Sequence, residues 1–290
     1  MRPLASPAHP LPGALLSLLL LLPEAPYAGQ VGMPLPSGVE ATAAYHRGES
    51  GRPAILILHG FLQTRDFPTV QRLAETLAED GYTVLAPTLS LGIDRRRQSL
   101  ACEAINTHTM EGSAREVAGW VRWLEAQGHH QILLVGHSSG ALVALAYLAD
   151  RPAESVHGGI LISLTYFGPG PANLETPEEL ARARRLAAAG VRRPETFALA
   201  FCRRYVALPQ AYLSYTDWDR DHTLERLAST HRPLHLVVGG SDPRIDRHWT
   251  RQLRARGARV HVIEGANHFF DAAHEFDLLE TVEGLVEALE

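Results

Sequence analysis

Residues 132–142 read ILLVGHSSGAL. The aliphatic residues 132–135 form a short, continuous apolar run, which is typical of a strand buried on both faces. The pentapeptide GHSSG follows at once, and residues 139–149 carry a helical pattern. The stretch therefore predicts a strand, a tight turn and a helix, with two adjacent serines on the turn.

The positions of Gly136 and Gly140 separate the two serines. In a turn of this kind, close packing excludes a Cβ at both glycine positions, and the central residue projects its side chain above the carboxyl edge of the sheet. Ser138 is central, so its Oγ is the predicted nucleophile, whereas Ser139 offers its backbone N–H. The pentapeptide alone occurs by chance in roughly one chain in ten of this composition, so its context decides.

Apolar runs elsewhere in the chain alternate with helical patterns. The predicted strands are residues 54–58, 82–86, 131–135, 160–164, 234–238 and 259–263. The predicted helices are residues 66–80, 109–127, 139–149, 245–256 and 273–289. This alternation predicts an α/β fold with a mostly parallel central sheet and helices on both faces.

The connection between the predicted strands 160–164 and 234–238 is about 70 residues long, far beyond an ordinary connection. It holds helical patterns over 176–190 and 195–206 and then a piece rich in Tyr, Trp and Asp. We interpret it as a helical cap, at about residues 165–225, inserted into a domain that spans 30–290. Extra helices of the core are the alternative.

The hydroxyl of Ser138 needs a base, and two later strand ends supply candidates for its activation. His268 lies in the loop after the last predicted strand. A histidine base needs an acid to hold its tautomer, and Asp242 follows the preceding strand, with Asp246 as the second candidate. Because parallel strands end at one edge of a sheet, we expect these groups to meet there.

The loop after the first predicted strand, residues 59–62, is the candidate for the second half of an oxyanion hole. Gly60 permits a tight backbone turn, and the N–H of Phe61 is then the donor best placed to act with that of Ser139. His59 is interpreted as a structural side chain beneath the turn rather than as a base.

Four segments together resemble the α/β-hydrolase superfamily: HGF at 59–61, GHSSG at 136–140, GGSDP at 239–243 and GANHFF at 265–270. The resemblance spans roughly residues 40–290 and includes the chain order serine, aspartate, histidine. It implies the α/β-hydrolase fold and a triad of Ser138, His268 and Asp242. The implied function is a serine hydrolase that cleaves a carboxylic ester or related acyl bond through an acyl-enzyme, without metal or cofactor.

Other activities remain open on this pattern. Thioesterases, amidases and cofactor-free haloperoxidases use the same triad, and a catalytically inactive binding module is the alternative outside enzymes. Ser138 argues against the members of the superfamily that use an aspartate nucleophile. The substrate is expected to be a small ester or acyl compound. A net charge of −5 gives no reason to expect a nucleic-acid partner, and the oligomeric state is not readable.

The N-terminus carries a basic start and an apolar run at residues 14–22. Nine residues are too few for a bilayer core, which needs about 20. The pattern predicts a signal peptide over residues 1–29 and export to the periplasm or beyond, without a stable membrane span. The alternatives are an uncleaved leader or a mistaken start codon, and the protein is cytoplasmic if the leader is not a signal.

Several side chains have two open interpretations. Cys102 and Cys202 are either a disulfide or two unrelated thiols. The arginines at 95–97 are interpreted as solvated surface, with contact to an anionic substrate or a lipid head group as the alternative. His108 is interpreted as a hydrogen-bonded loop histidine, with a place in the pocket lining as the alternative. Phe269 and Phe270 are expected to wedge the His268 loop against the sheet.

Overall fold

The computed structural model describes residues 28–170 and 173–290. The predicted signal peptide lies outside the described residues except for its last two positions. Those two, Ala28 and Gly29, belong to the first strand.

Ten strands occur in the described part of the chain. They are β1 Ala28–Pro34, β2 Glu40–His46, β3 Ala54–Leu58, β4 Thr83–Thr88, β5 Ile132–His137, β6 Val156–Ile162, β7 Glu195–Leu199, β8 Cys202–Ala207, β9 Leu234–Gly239 and β10 Arg259–Ile263. Eight of them form one sheet in the order β1-β2-β4-β3-β5-β6-β9-β10. The pairs of β1 with β2 and of β2 with β4 are antiparallel, and the remaining pairs of this sheet are parallel.

Eight α-helices accompany these strands in residues 28–170 and 173–290. They are α1 Pro68–Glu79, α2 Met110–Ala126, α3 Ser139–Leu148, α4 Pro177–Ala188, α5 Pro209–Thr216, α6 Arg220–Ala228, α7 Arg247–Ala255 and α8 Glu275–Glu287. The mostly parallel sheet flanked by helices confirms the fold class predicted from the sequence. No helix among the described residues is long and apolar enough to cross a membrane.

The central strands are buried on both faces because helices cover both sides of the sheet. Along β3, Leu56 and Leu58 belong to the core layer that contains Trp120 of α2 and the residues of α3. Ile55 and Ile57 belong to the opposite layer, with residues of α1 and α8. This two-sided burial explains why β3 and β5 appear in the sequence as unbroken apolar runs.

The inserted segment contains a β-hairpin where a helix was expected. Helix α4 lies within the predicted helix at 176–190, but the predicted helix at 195–206 is wrong, because β7 and β8 pair there as an antiparallel hairpin. Phe197 and Leu199 are buried and their neighbours are not, which is the two-residue period of a strand. The β-branched and aromatic residues of this stretch also favour strands. The insert is therefore not purely helical.

A disulfide joins Cys102 to Cys202, with their Cα atoms 5.5 Å apart. The bond connects the irregular segment after β4 to the start of β8. The N–H of Asn106 donates to the carbonyl of Val206 at 2.8 Å, and the N–H of Val206 donates to the carbonyl of Cys102 at 3.1 Å. Residues 102–106 thus run along β8, which attaches the segment to the insert.

Removing the bridge is expected to destabilise the fold. Replacing Cys102 and Cys202 together by Ala should lower the free energy of unfolding by about 2–4 kcal/mol, because the bridge restricts the unfolded chain over a long loop. Urea unfolding of the variant and the parent protein measures the difference. The parent protein in excess reductant should unfold like the variant. Identical unfolding midpoints for the oxidised parent and the variant would contradict the prediction.

Candidate active site

Ser138 stands on a strained turn between β5 and α3. Its backbone has φ 56° and ψ −121°, a region that non-glycine residues enter at a cost of about 1–3 kcal/mol. A Cβ on Gly136 would lie 2.4 Å from the carbonyl oxygen of Gly140, and a Cβ on Gly140 would lie 2.4 Å from that of Leu58. The backbone therefore tolerates only glycine at positions 136 and 140, two residues before and two residues after the serine.

His268 and Asp242 lie in line with Ser138. The His268 Nε2 atom is 2.9 Å from Ser138 Oγ, and its Nδ1 atom is 2.6 Å from Asp242 Oδ2. A carboxylate can only accept, so Nδ1 carries the proton and Nε2 is left to accept from the serine hydroxyl. The Asp242 side chain is completely buried. Loops after β5, β9 and β10 thus bring the three residues together.

Asp246, the second candidate for the acid, has another role. It caps the N-terminus of α7, where its Oδ1 accepts from the backbone N–H of Trp249 at 2.6 Å. The second carboxylate oxygen of Asp242 accepts from the backbone N–H of Arg244 at 2.9 Å. Both oxygens of Asp242 are therefore engaged, which holds its carboxylate in one orientation.

The carbonyl of His268 is held by two side chains from neighbouring strands. His137 donates from Nε2 at 2.9 Å, and Ser163 donates from its hydroxyl at 3.0 Å. Burial and then the charge of His268 lower the pKa of His137 to about 3, so His137 stays neutral. A motif pattern does not reveal this contact, although His137 stands inside the pentapeptide.

His59 lies beneath the loop at 59–62, as the structural interpretation expects. Its Nε2 accepts from the N–H of Leu89 at 3.0 Å, and its Nδ1 donates to the carbonyl of Gly60 at 2.9 Å. Burial, followed by the charge of Arg96, lowers the pKa of His59 to about 3. A Cβ on Gly60 would lie 3.5 Å from the Cβ of Ser138, so this loop passes directly beside the serine.

Arg96 is buried, contrary to the expectation that all three arginines at 95–97 are solvated. Only 4% of it is exposed. Its guanidinium donates to the carbonyls of Leu89 at 2.8 Å, Gln98 at 2.9 Å and Gln63 at 2.7 Å, and it lies 3.2 Å from His59 Nε2. Burial lowers its pKa to about 10, still far above neutrality. A permanent cation thus clamps both ends of the loop at 59–63.

Glu116 of α2 is the carboxylate whose charge acts on Arg96 and favours the guanidinium cation. It accepts from the N–H of Ser90 at 3.0 Å and from the hydroxyl of Ser90 at 2.6 Å. Burial raises the pKa of Glu116, and the bonds from Ser90 oppose that rise. The two buried charges therefore lie in one network behind the loop.

A cleft opens over Ser138. Its walls are mainly aromatic and apolar, and they comprise Phe61, Gln63, Ser138, Ser139, Leu142, Thr165, Tyr166, Phe167, Asn173, Ala200, Phe201, Arg244 and Phe269. Phe269 therefore faces the cleft, which corrects the expectation that it serves only as a wedge, whereas Phe270 is buried. The hairpin turn at Ala200 and Phe201 forms part of the rim, so the insert contributes to the site.

His108 does not line this cleft. It is buried, with Nδ1 2.6 Å from the hydroxyl of Tyr215 and Nε2 3.1 Å from Asn106 Oδ1. Burial, then the charge of Arg96, lowers the pKa of His108 to about 3. It is a hydrogen-bonded loop histidine, as interpreted. Within the described residues, no three His, Cys, Asp or Glu side chains are grouped as a metal site would need.

A family model described as "Alpha/beta hydrolase family" matches residues 55–279. The chain belongs to this family. No curated protein matches the chain in sequence.

Solved structures of other proteins cover most of the chain at low identity. Est1E from Butyrivibrio proteoclasticus has a TM-score of 0.65 at 16% identity, covering 90% of this chain and 98% of its own. An esterase from Pyrococcus furiosus has a TM-score of 0.61 at 16% identity, covering 90% and 91%. A thioesterase domain from the curacin biosynthetic pathway has a TM-score of 0.58 at 19% identity, covering 90% and 99%. Similarity at these identities shows the shared fold.

The neutral histidines at 59, 108 and 137 make the stability of the fold sensitive to acid. Their pKa values are lowered to about 3 in the folded protein, whereas the unfolded chain protonates them near pH 6.5. Stability is therefore lost as the pH falls below about 6.5, by on the order of 1 kcal/mol per pH unit for each histidine.

Urea unfolding at pH 7.5, 6.5 and 5.5 measures this slope. His108→Gln should flatten it, and His130→Gln, at an exposed histidine, should not. A slope that is the same in His108→Gln as in the parent protein would show that the buried imidazole is not responsible.

Proposed function

We propose that this alpha/beta hydrolase is a serine hydrolase that cleaves a carboxylic ester or related acyl bond through an acyl-enzyme. One observation carries the proposal. The hydrogen-bonded chain from Asp242 through His268 to Ser138 has its two links at 2.6 and 2.9 Å, and it ends at a hydroxyl on a strained turn.

Ser138 Oγ attacks the acyl carbon while its proton passes to His268 Nε2. Asp242 keeps the other ring nitrogen protonated and stabilises the imidazolium that forms. Because Asp242 is buried and held at both oxygens, its charge acts on His268 with little screening by water. His268 is thereby positioned to take the proton in one orientation.

The negative oxygen of the tetrahedral intermediate is bound by the N–H groups of Ser139 and Phe61. Ser139 is the first residue of α3, so its N–H has no carbonyl acceptor within the helix and lies at the positive end of the helix dipole. The loop that carries Phe61 passes beside Ser138, as the space around Gly60 shows. Donors placed in advance lower the barrier without reorganising when the charge develops.

His268 then returns the proton to the leaving group, and the ester C–O bond breaks. A water molecule, deprotonated by His268, attacks the acyl-enzyme and releases the acid together with free Ser138. Apart from this water, the groups that act in these steps are side chains and N–H groups of this chain.

Hydrolysis of a thioester or an amide would follow the same steps, so the bond type rests on the comparisons. One neighbour is named an esterase and another a thioesterase domain, which supports ester or thioester hydrolysis rather than amide hydrolysis. The mainly apolar cleft supports a small organic substrate. A catalytically inactive binding module is the second candidate, and labelling of Ser138 by a fluorophosphonate discriminates between them.

We also propose that the protein is exported, as the pattern of residues 1–29 indicates. The bond between Cys102 and Cys202 supports this proposal, because structural disulfides persist in oxidising compartments and are rare in the cytosol.

Two neighbouring serines provide the direct test of the nucleophile. Ser138→Ala should lower kcat on short p-nitrophenyl esters by several orders of magnitude and abolish fluorophosphonate labelling, because no other hydroxyl replaces Oγ. Ser139→Ala should keep most of the activity, since it acts through its backbone N–H. Equal losses in the two variants, or full activity in Ser138→Ala, would contradict the proposed roles.

Arg96 is expected to matter for rate without touching the substrate. Arg96→Gln should lower kcat by about 10- to 100-fold with little change in KM, because the loop that carries the Phe61 N–H loses its clamp and the oxyanion donor shifts. Steady-state kinetics on the same esters measures the split, with circular dichroism to verify folding.

The matched control for this test is Arg97→Gln, which removes an exposed charge next in sequence and should leave kcat unchanged. Partial recovery of the Arg96→Ala enzyme by added guanidinium would support a positioning role. A folded Arg96→Gln enzyme with the parent kcat would refute it.

A further inference from the structure

Arg244 places a positive charge in the wall of the cleft over Ser138. It follows the acid by two residues, and its backbone N–H is tied to Asp242 Oδ1 at 2.9 Å. The residue is partly buried and lines the same cleft as Ser138 and Phe269. The backbone of Arg244 is therefore held in place by Asp242.

The guanidinium of Arg244 has no hydrogen bond or ion pair to any residue in the described part of the chain. Arg96 shows the contrast, since its guanidinium is satisfied by three carbonyls. Asp242, the neighbouring carboxylate, is already engaged by His268 and by the Arg244 backbone. The donors of the Arg244 side chain thus remain available to a ligand.

The remaining described residues of the cleft wall carry no formal charge. They are aromatic, aliphatic, hydroxyl or amide side chains, so no acidic group in this wall offsets Arg244. The charge of Arg244 also reaches the catalytic loops, because it contributes to the lowered pKa of His137. The ring of His137 lies 5.4 Å from that of His268. An apolar, partly enclosed surrounding strengthens the attraction between such a cation and an anion.

We propose that Arg244 forms an anion-binding subsite, and that the preferred substrates are esters bearing a carboxylate or phosphate group beside an apolar part. This inference rests on the proposed serine hydrolase function and names its substrate class. A guanidinium binds either oxyanion with two parallel hydrogen bonds. The apolar part of the substrate packs on the aromatic wall, which includes Tyr166, Phe167 and Phe201. Hydrolysis then adds one water across the acyl C–O bond, and the anionic group is unchanged.

Matched pairs of esters that differ in one anionic group test the subsite. The pairs are 4-carboxyphenyl butyrate with its methyl ester, monoethyl adipate with diethyl adipate, and butyryl glycerol phosphate with monobutyrin. The first pair places a carboxylate on the leaving group and the second on the acyl group, while the third replaces carboxylate by phosphate. The quantity compared is the ratio of kcat/KM for the anionic and neutral members of each pair.

Arg244→Gln should lower this ratio by about tenfold or more in at least one pair, through a higher KM for the anionic member. The reason is the loss of one charge-assisted pair of hydrogen bonds. Arg244→Glu should lower it further, and Arg244→Lys should retain part of it. Arg247→Gln removes an exposed arginine three residues later and should leave all ratios unchanged.

Ratios that stay the same in Arg244→Gln and Arg244→Glu for every pair, while the neutral esters are still hydrolysed, would overturn the subsite alone. Absence of turnover on all esters and of fluorophosphonate labelling at Ser138 in the parent protein would instead overturn the proposed function and this inference with it.

Discussion

The turn that carries Ser138 depends on how closely three backbone segments approach one another. The start of α3 crosses so near to the ends of β3 and β5 that a Cβ at Gly136 or Gly140 would lie 2.4 Å from a carbonyl oxygen. This crowding leaves the central residue no ordinary conformation, and Ser138 is held at φ 56°. The strain is maintained because the same segments form the buried middle of the sheet, where both cores meet. The packing that stabilises the sheet therefore also holds the Ser138 hydroxyl in its partly exposed position.

Around this turn, two buried histidines are kept neutral, while a third, His268, is placed for proton transfer. The buried histidines at 59 and 137 are neutral and hold backbone groups, so His268 is the imidazole in contact with Ser138 Oγ. Arg96 contributes in two ways. Its buried charge disfavours protonation of His59, and its donors fix the loop beside the serine. Several buried side chains therefore position the site without being proposed to react. Most of them act by holding the main chain rather than by touching a substrate.

The features that the sequence predicted correctly were those with a local signal. Buried parallel strands appear as apolar runs, and each strand in the central region ended near its predicted position, so the meeting of Ser138, Asp242 and His268 at one edge followed from the order of elements. The first two strands were missed, because they lie at the antiparallel edge and consist largely of small and polar residues. The hairpin at 195–207 was taken for a helix because its alternation is short. Arg96 could not be assigned, since a run of arginines does not reveal which one is buried. Arg244 could not be assigned, since no local pattern reveals that its side chain lines a cleft.

The disulfide has a consequence for the order in which the molecule is completed. The covalent ring closed by Cys102 and Cys202 contains Ser138, but Asp242 and His268 lie beyond it toward the C-terminus. In a chain that is made from the N-terminus onward, the disulfide can therefore form and hold one wall of the cleft before Asp242 and His268 are present. Catalytic competence then requires β9 to pair with β6 and β10 to pair with β9. Synthesis and maturation of this chain are thus expected to end, rather than begin, with a reactive serine.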